Sequence, residues 1–282
     1  MINFKTHICG ISLSFALVSI VFLLSYLRIP PPQEKISFLE VKLGDAILYQ
    51  TPQNYRILID TGKDASILGA LDRQIHPLYK RINLLILTHS DIDHIGGLEY
   101  LVRHYQVDEI WLSPMAQKSL EYQELIKRTP LIKKIPQQTI WAPAAWKISP
   151  QTYLELIYPI DTTRADSNDQ SLVLRLHSLD NAILLTGDLE AKGEFELMRT
   201  GALLKSNLLK IAHHGSATSS TLPFLKQVKP QFGIIQASSG NPFGHPHEEV
   251  LKSLSDLKIN TMITRQYGDI SFCLEKKWSI CR

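Results

Sequence analysis

Hydrophobic positions along the chain occur in short runs that predict strands separated by turns, with some amphipathic helices between them. Three consecutive strands are predicted at residues 36–41, 46–50 and 55–59. Their short connections favour an antiparallel meander. An apolar run at residues 83–87 predicts a buried strand, and helical spacing at 98–105 followed by a run at 107–112 completes a strand–helix–strand unit.

The rest of the pattern predicts a second half built in the same manner. A helix at residues 115–127 and an irregular stretch at 136–150 lead into it. Further strands are predicted at 153–158, 168–176, 182–188, 208–212 and 232–237, with helices at 190–200 and 248–257. This mixture of strands and helices indicates an α+β fold.

Residues 8–27 are uncharged and apolar, and about 20 such residues are enough for a helix to cross a membrane. No small-x-small cleavage site lies near the end of the segment, which favours an uncleaved anchor over a signal peptide. We therefore predict a membrane anchor at 1–28, a proline-rich linker at 29–35 and one globular domain at 36–282. The domain is expected on the extracytoplasmic side of the membrane, or secreted if the segment is cleaved.

The chain carries 30 basic and 27 acidic side chains, which give a net charge of +3. A charge this close to neutral does not provide the basic surface that is typical of nucleic-acid-binding domains. A polyanionic substrate must therefore be held by a local cluster of side chains or by metal ions.

Cys273 and Cys281 flank a predicted hairpin at the C-terminal end of the chain. Sequence spacing does not show whether two cysteines have the geometry of a disulfide. We favour two ordinary cysteines, with a disulfide in an oxidising compartment as the alternative.

Four candidate metal ligands lie in one short loop directly after the predicted strand at residues 83–87. They are His89, Asp91, Asp93 and His94. Gly96 and Gly97 follow and allow the backbone to approach its surroundings closely. A lone histidine or carboxylate is usually a surface or core residue, but four together at the end of a buried strand indicate a metal site.

Candidate side chains also follow later predicted strands. Asp188 ends the strand at 182–188, and His213 and His214 follow the strand at 208–212. Because side chains alternate along an extended segment, only one of these two histidines is expected to enter the site.

His245 and His247 flank Pro246, which suits the first turn of the helix predicted at residues 248–257. His245 is therefore expected near a helix N-terminus, where backbone amides favour an anion such as phosphate. A purely capping role for these histidines is the alternative.

Asp60, Thr61 and Gly62 follow an apolar strand, as the catalytic aspartate of an aspartic protease does. Those enzymes need two carboxylates that share one proton, and this sequence has no second copy of the pattern. A protease homodimer would supply the second carboxylate but would leave the histidine cluster unexplained, so the protease alternative is disfavoured.

The spacing of the metal-ligand loop from His89 to Gly97 resembles the metal-binding loop of the metallo-beta-lactamase superfamily. Asp91 stands where a histidine is commoner, which is similar to the hydrolase domain of the ComEC/Rec2 competence proteins. The resemblance implies a four-layer αββα sandwich with metals at one edge between two sheets, here preceded by one N-terminal hydrophobic helix.

The resemblance also implies roles for individual residues. Two divalent ions, zinc or manganese, are expected to be held by His89, Asp91, Asp93, His94, Asp188 and a histidine from His213 and His214. Asp93 and His245 are the expected catalytic residues, the first orienting the nucleophile and the second holding or protonating the leaving group. Substrate binding is expected from Ser216, Asn241, His245 and His247.

The opening segment of the family is matched by Asp45, Asp60 and Gly62, of which Asp60 is expected to brace the metal loop. Lys42 and Leu43 depart from the usual glycine-rich pattern before Asp45. Many members have a histidine in the segment that begins here with Asn168, so Asn168 or water is expected at that coordination position.

These expectations favour a membrane-tethered nuclease or phosphodiesterase that activates water with two metal ions. Its partners would be single-stranded DNA or another phosphodiester, the membrane through residues 8–27, and a separate DNA-uptake channel protein, since the chain has one hydrophobic span. The alternatives are a non-catalytic DNA-uptake or DNA-binding module and a hydrolase of a non-nucleic ester. An aspartate-rich ligand set favours manganese over zinc and disfavours β-lactam hydrolysis.

Overall fold

Two sheets form the centre of the protein, as seen in a computed structural model that describes residues 33–159, 168–178, 180–238, 240–274 and 277–281. The described strands are β1 (Glu34–Phe38), β2 (Ile47–Gln50), β3 (Arg56–Ile59), β4 (Arg81–Ile82), β5 (Leu84–Leu87), β6 (Gln106–Val107), β7 (Ile110–Leu112), β8 (Gln137–Thr139), β9 (Ala144–Lys147), β10 (Thr152–Tyr158), β11 (Val173–Ser178), β12 (Asn181–Leu185), β13 (Leu208–Lys210), β14 (Phe232–Ile235), β15 (Asn260–Ile263), β16 (Ile270–Leu274) and β17 (Trp278–Ile280). The described α-helices are α1 (Ser66–Asp72), α2 (Ile92–Ile95), α3 (Leu98–His104), α4 (Pro114–Lys118), α5 (Leu120–Arg128), α6 (Ala191–Arg199), α7 (Leu222–Val228), α8 (Glu248–Asp256) and α9 (Thr264–Tyr267).

The first sheet has the strand order β17-β16-β1-β2-β3-β5-β7-β8, and the second has the order β15-β14-β13-β12-β11-β10-β9. The predicted antiparallel meander of β1, β2 and β3 is confirmed. Each sheet then changes to parallel pairing, from β3 to β8 in the first and from β12 to β15 in the second. Both halves of the chain thus combine an antiparallel part with a parallel part.

Alternating apolar side chains explain why the layers stack as they do. In β5, Leu84 and Ile86 belong to the core between the two sheets, whereas Leu85 and Leu87 belong to the core beneath the helices. Successive strand residues point to opposite faces, so a strand that is apolar throughout must be covered on both sides. A third core lies between the second sheet and its helices, and includes Leu184 of β12. The order of layers is therefore helix, sheet, sheet, helix.

Several predicted elements require correction. The helix predicted at 115–127 is interrupted at Ser119, whose extended backbone ends α4 and whose hydroxyl accepts a hydrogen bond from the Tyr122 amide to begin α5. The stretch at 136–150, predicted to be irregular, contains β8 and β9, which pair with β7 and β10. The strand predicted at 168–176 begins at Val173, because Asn168–Gln170 form a 3-10 turn.

The ends of the chain were predicted less well than its centre. Strand β1 begins at Glu34, inside the range predicted as a linker, and residues Gln33–Arg282 form one compact unit. The predicted hydrophobic helix at 8–27 lies outside the described residues; within those residues, no helix is long and apolar enough to span a bilayer. Cys273 and Cys281 are joined by a disulfide between β16 and the residue after β17, so the favoured interpretation of two ordinary cysteines was wrong.

Candidate metal centre

The predicted ligand loop leaves the end of β5 and turns immediately into the short helix α2 and then α3. Gly96 and Gly97 lie between the two helices. A Cβ atom at Gly96 would collide with the carbonyl oxygen of Lys63, and one at Gly97 would collide with that of Thr61. Close packing of backbone against backbone therefore requires glycine at both positions. This packing presses the loop that carries His89 and His94 against the segment that follows β3.

Asp60, at the end of β3, holds the ligand loop from behind. Its buried carboxylate accepts hydrogen bonds from the Thr88 amide at 2.8 Å and the Thr88 hydroxyl at 2.7 Å. The second oxygen also lies 2.8 Å from Nδ1 of His94. A histidine whose Nδ1 bonds to a carboxylate presents Nε2 to a metal. These contacts give Asp60 the bracing position that the resemblance implied.

Asp188 lies at the centre of the cluster, after the turn that ends β12. Its Oδ2 atom lies 3.2 Å from Nε2 of His94 and 3.4 Å from Nε2 of His214. The same nitrogen of His214 lies 3.4 Å from Oδ2 of Asp93. Residues from the first half of the chain and residues from the second half therefore meet at Asp188.

His213 and His214 adopt a conformation that the sequence did not predict. Both have left-handed backbone angles, with φ values of 48° and 53°, inside a 3-10 turn rather than on an extended segment. Because the alternation of an extended strand does not apply, both rings approach the cluster: Nε2 of His213 lies 3.9 Å from Oδ2 of Asp188. Within the described residues, His214 belongs to the groups of converging ligand atoms and His213 does not, since Nδ1 of His213 lies 3.2 Å from Oε1 of Glu190. That a single histidine of this pair is a ligand stays a prediction.

The donor set fits divalent metal ions. Within the described part of the chain, Nε2 of His89, His94 and His214 are buried atoms without a hydrogen-bond partner. Among the described residues, four groups of side chains bring their potential ligand atoms within 4.8 Å of one another. Two of these groups contain the predicted ligands alone: His89, His94 and Asp188, and Asp93, His94 and His214. Buried imidazole nitrogens without partners are costly unless a ligand satisfies them, and imidazole with carboxylate is a usual set for zinc or manganese.

The charges in the cluster shift the protonation of its members. Burial opposes the charged form of His94 and His214, but neighbouring carboxylates, chiefly that of Asp188, raise the pKa of both rings well above the ordinary value. Burial and the nearby ring of His94 lower the pKa of His89. Burial works against ionisation of Asp93, yet the close approach of His214 and the charges of the His94 and His214 rings hold its pKa well below the usual range.

The cluster borders an open cavity of about 130 Å³. Its lining includes Asp91, Asp93, Asp188, His213, His214, Asn241, Phe243 and His245. Asp91 lies at the rim with a side chain 41% exposed, and its carboxylate is 3.9 Å from Nε2 of His89. Burial and three neighbouring imidazoles, those of His213, His214 and His247, lower the pKa of His245 to about 4.

The residues predicted to bind substrate have different surroundings. The Asn241 side chain donates to the backbone oxygen of His245 at 2.7 Å and accepts from its amide at 2.9 Å, which fixes the loop that carries His245. Ser216 and His247 are outside the cavity lining: the Ser216 hydroxyl contacts Thr218, and Nδ1 of His247 accepts from the Ala217 amide. Pro246 precedes the cap of α8, which is His247, so the predicted placement of Pro246 in the first helical turn was wrong.

The remaining predicted positions lie behind the ligands. Gly62, with a φ of 66°, follows the turn after β3, and its amide donates to the Asp45 backbone oxygen. Asn168 is also outside the cavity lining. In the same segment, the Ser171 hydroxyl lies 3.4 Å from Nδ1 of His89. The Ser171 hydroxyl also accepts from the Asp188 amide at 3.0 Å.

Lys210 and Gln236 are among the residues that contact the cluster and were missed by the sequence analysis. Lys210, at the end of β13, is fully buried and forms an ion pair with Asp45. The backbone oxygen of Gln236 lies 2.9 Å from Nδ1 of His214, and the Gln236 side chain donates to backbone oxygens of Leu39 and Ala46 in the first half. Lys210 could have been recognised in the sequence, because it is a lysine within an apolar strand. Gln236 carries no such signal.

The layer order and the ligand arrangement define the class of protein. The metallo-beta-lactamase superfamily profile matches residues 39–238, and the chain belongs to this superfamily.

Two curated relatives cover most of the chain. ComE operon protein 3 from Bacillus subtilis (strain 168) is 29% identical over 271 residues, covering 90% of this chain and 35% of the relative. Recombination protein 2 from Haemophilus influenzae is 29% identical over 262 residues, covering 90% of this chain and 31% of the relative. These relatives are of the ComEC/Rec2 type that the metal loop resembles. The chain spans roughly one third of their length.

Similarity to solved structures supports the same fold. A diphosphatase from the PhnP family superimposes with a TM-score of 0.52 and 13% sequence identity, covering 85% of this chain and 87% of that chain. Identity this low shows the fold alone.

Proposed function

We propose that the chain is a metal-dependent phosphodiesterase that cleaves DNA, with single-stranded DNA as the favoured form. One observation carries this proposal: buried imidazole nitrogens without partners cluster with carboxylate oxygens, and Asp93, Asp188 and His214 of this cluster line an open cavity. An intact set of this kind is the equipment of a hydrolase, and it argues against a binding module that merely retains the fold.

The protein residues would divide the work between holding metal and handling substrate. His89, Asp91, Asp93, His94, Asp188, His213 and His214 are the residues that would hold two divalent ions. Such ions, when bound, lower the pKa of a water molecule and stabilise the attacking and leaving oxygens of a displacement. Asp93 is ionised, lines the cavity and is held by His214, so its free oxygen would orient the attacking water.

His245 lines the same cavity and would contact the leaving group. Its ring lies 5.5 Å from that of His213, and its low pKa makes it neutral at pH 7. A neutral imidazole donates one hydrogen bond and carries no charge. Of the two predicted roles, holding the leaving oxygen is therefore favoured over protonating it.

A nucleic acid substrate is supported by one surface feature and by the relatives. Phe243 lines the cavity with a ring that is 63% exposed and lies 5.7 Å from the ring of His245. Exposed aromatic rings beside a site are typical platforms for stacking unpaired bases. One relative is named Recombination protein 2, and recombination is a reaction of DNA. On the resemblance to ComEC/Rec2 proteins, of whose length the chain spans roughly one third, we also propose a DNA-uptake channel protein as a partner.

We further propose that residues 8–27 tether the domain to the extracytoplasmic face of a membrane. The disulfide between Cys273 and Cys281 supports this side, because disulfides persist in oxidising compartments. Protease added to intact spheroplasts should degrade the domain. Complete protection there, with degradation after lysis, would contradict the proposed topology.

The activity is tested on the full chain purified in detergent, with bound metal measured first. Single-stranded DNA, double-stranded DNA and a generic phosphodiester are offered side by side, with and without chelator. We expect turnover of single-stranded DNA that stops with chelator, that is lost in Asp93→Ala and that is retained in the exposed control Asp256→Asn. Tight DNA binding without turnover would select the non-catalytic alternative, and hydrolysis of small esters alone would select a non-nucleic substrate.

A further inference from the structure

Lys210 is a buried charged residue to which the proposed chemistry gives no task. It ends β13, and its side chain is fully shielded from solvent. Along the strand, Leu208 and Lys210 point to the same face, and Leu208 belongs to the core between the two sheets. An ammonium group therefore occupies a position where the pattern of the fold calls for an apolar side chain.

The ammonium group reaches both halves of the molecule. It forms an ion pair with Asp45 of the first half and donates to the Gly187 backbone oxygen at 3.1 Å. It also lies 3.5 Å from Oδ1 of Asp188. Asp45 in turn lies 3.2 Å from Nδ1 of His214. Every polar group that Lys210 contacts thus belongs to the candidate metal centre or to the turn that carries Asp188.

Stability alone does not account for this arrangement. Taking a lysine and a carboxylate out of water costs about as much as their attraction returns, and apolar replacements of buried ion pairs are often neutral or stabilising. Lysine is also rarely buried completely. A role in the metal centre is a better physical reason for keeping the charge.

The two oxygens of Asp188 show what that role is. Oδ1 faces Lys210, whereas Oδ2 faces Nε2 of both His94 and His214. Oδ1 has no hydrogen-bond partner, and at 3.5 Å its attraction to the ammonium group is electrostatic. Lys210 also holds the backbone of the Gly187 turn that leads to Asp188. Together these contacts draw Oδ1 towards the ammonium group and away from the imidazoles.

We infer that Lys210 is a positioning residue of the metal centre, which fixes Asp188 so that one of its oxygens is presented to the metal ions. This inference rests on the proposed metal-binding function. It also predicts the direction in which the affinity for a metal cation changes when Lys210 is replaced. If Lys210 acted only through its charge, removing it would tighten the binding of a cation; if it positions Asp188, removing it weakens that binding.

The test compares Co²⁺ binding by full-length variants, measured by chelator competition and by the visible absorption spectrum. Lys210→Met removes the charge and keeps the length of the side chain. The matched control is Lys205→Met, which makes the same substitution at an exposed position. In the double variant Lys210→Met with Asp45→Asn, both members of the ion pair become neutral, so this protein is expected to fold even if the single variant does not.

We expect the affinity for Co²⁺ to fall about 10- to 100-fold in Lys210→Met and in the double variant, since residues that orient ligands have effects of this size. The spectrum at saturating metal should also change, which a purely structural role would not cause. Unchanged or tighter binding in a folded double variant would overturn the role of Lys210 while leaving the metal centre intact. A wild-type protein that binds no metal would overturn both proposals.

Discussion

Asp60→Asn is the substitution that most directly tests how the ligand loop is held. Asp60 is buried and accepts from the Thr88 amide, the Thr88 hydroxyl and Nδ1 of His94, at 2.8, 2.7 and 2.8 Å. Asparagine has nearly the same shape but only one accepting oxygen. If that oxygen stays with the Thr88 amide, the new amide group faces Nδ1 of His94, and two donors then point at each other.

The size of the effect follows from the contact that is lost. A hydrogen bond to a charged group contributes about 1.5–3 kcal/mol, and the protein has two ways to lose it. Either the His94 ring leaves its position, or its proton moves from Nδ1 to Nε2. Protonated Nε2 has no free electron pair and could not bind a metal. At about 1.4 kcal/mol per factor of ten, the metal affinity should fall roughly 10- to 100-fold, which agrees with the usual effect of a residue that orients a ligand.

Chelator competition with Mn²⁺ and Zn²⁺ measures the affinity, and denaturant unfolding of the metal-free protein measures the stability. Asp256→Asn serves as the control, because Asp256 pairs with Lys252 at the surface with 62% of its side chain exposed. Such exposed pairs contribute about 0–1 kcal/mol. A folded Asp60→Asn protein with wild-type affinity for both metals would refute the reasoning, since His94 would then not depend on Asp60.

Other substitutions test separate parts of the protein. Asp188→Asn should abolish bound metal and turnover while the circular dichroism spectrum stays that of the wild type, because the carboxylate lies at the centre of the cluster but outside the apolar cores; unaltered turnover would rule out Asp188 as a ligand. Mn²⁺ should support turnover better than Zn²⁺, and Asp91→His should shift the preference towards zinc by adding a nitrogen ligand. If wild type works best with zinc and the variant leaves the ranking unchanged, Asp91 does not set the metal. Asp269→Asn should lower the free energy of unfolding by about 1.5 kcal/mol at pH 7, the lower end of the range for charged hydrogen bonds, because the Arg73 side chain is 50% exposed. Although burial opposes ionisation, hydrogen bonds from Arg73, Glu40 and Gln74 lower the pKa of Asp269, so its contribution is present above the unfolded pKa of about 4 and is lost as the pH falls further. Denaturant unfolding from pH 3 to 7 checks this, and a difference between wild type and variant that does not shrink with acid would contradict it.

Local pattern was enough to predict those parts of the site that one chain segment builds alone. The loop after β5 carries His89, Asp93 and His94 within six residues, and the strand before it is apolar throughout. Asp188 likewise follows directly from an apolar strand. In both cases the chemistry lies at the end of a strand, and a buried strand is visible in sequence because it must be apolar on both faces.

Elements held by tertiary contacts were harder to predict. β8 has the sequence Gln-Gln-Thr, without an apolar residue, and β9 is only four residues long and begins with two alanines. Both strands lie at sheet edges and are held by pairing with β7 and β10. Ser119 was not recognised as a helix boundary, although serine is a favoured N-cap residue and its hydroxyl accepts from the Tyr122 amide at the start of α5.

The backbone conformation of His213 and His214 could not be predicted from the sequence pattern. Left-handed angles are uncommon for residues other than glycine, so a period of two was the reasonable assumption for His213 and His214. Positive φ at both residues instead turns both rings towards Asp188. Strained conformations of this kind persist where the surroundings hold them, here by the bond from Nδ1 of His214 to the Gln236 carbonyl and by the bond from the His213 amide to the Gly187 carbonyl.

The position of these contacts links the metal centre to the packing of the two sheets. Asp60 and His94 come from the first half, Asp188 and His214 from the second, and Gln236 and Lys210 bond across the boundary between them. A small displacement of one sheet against the other would therefore separate the ligands while leaving each half of the site locally intact. Because a ligand that binds only the native state stabilises it by mass action, metal binding should in turn hold the sheets together. Metal binding and contact between the sheets are then linked equilibria, and a variant that weakens either should weaken the other.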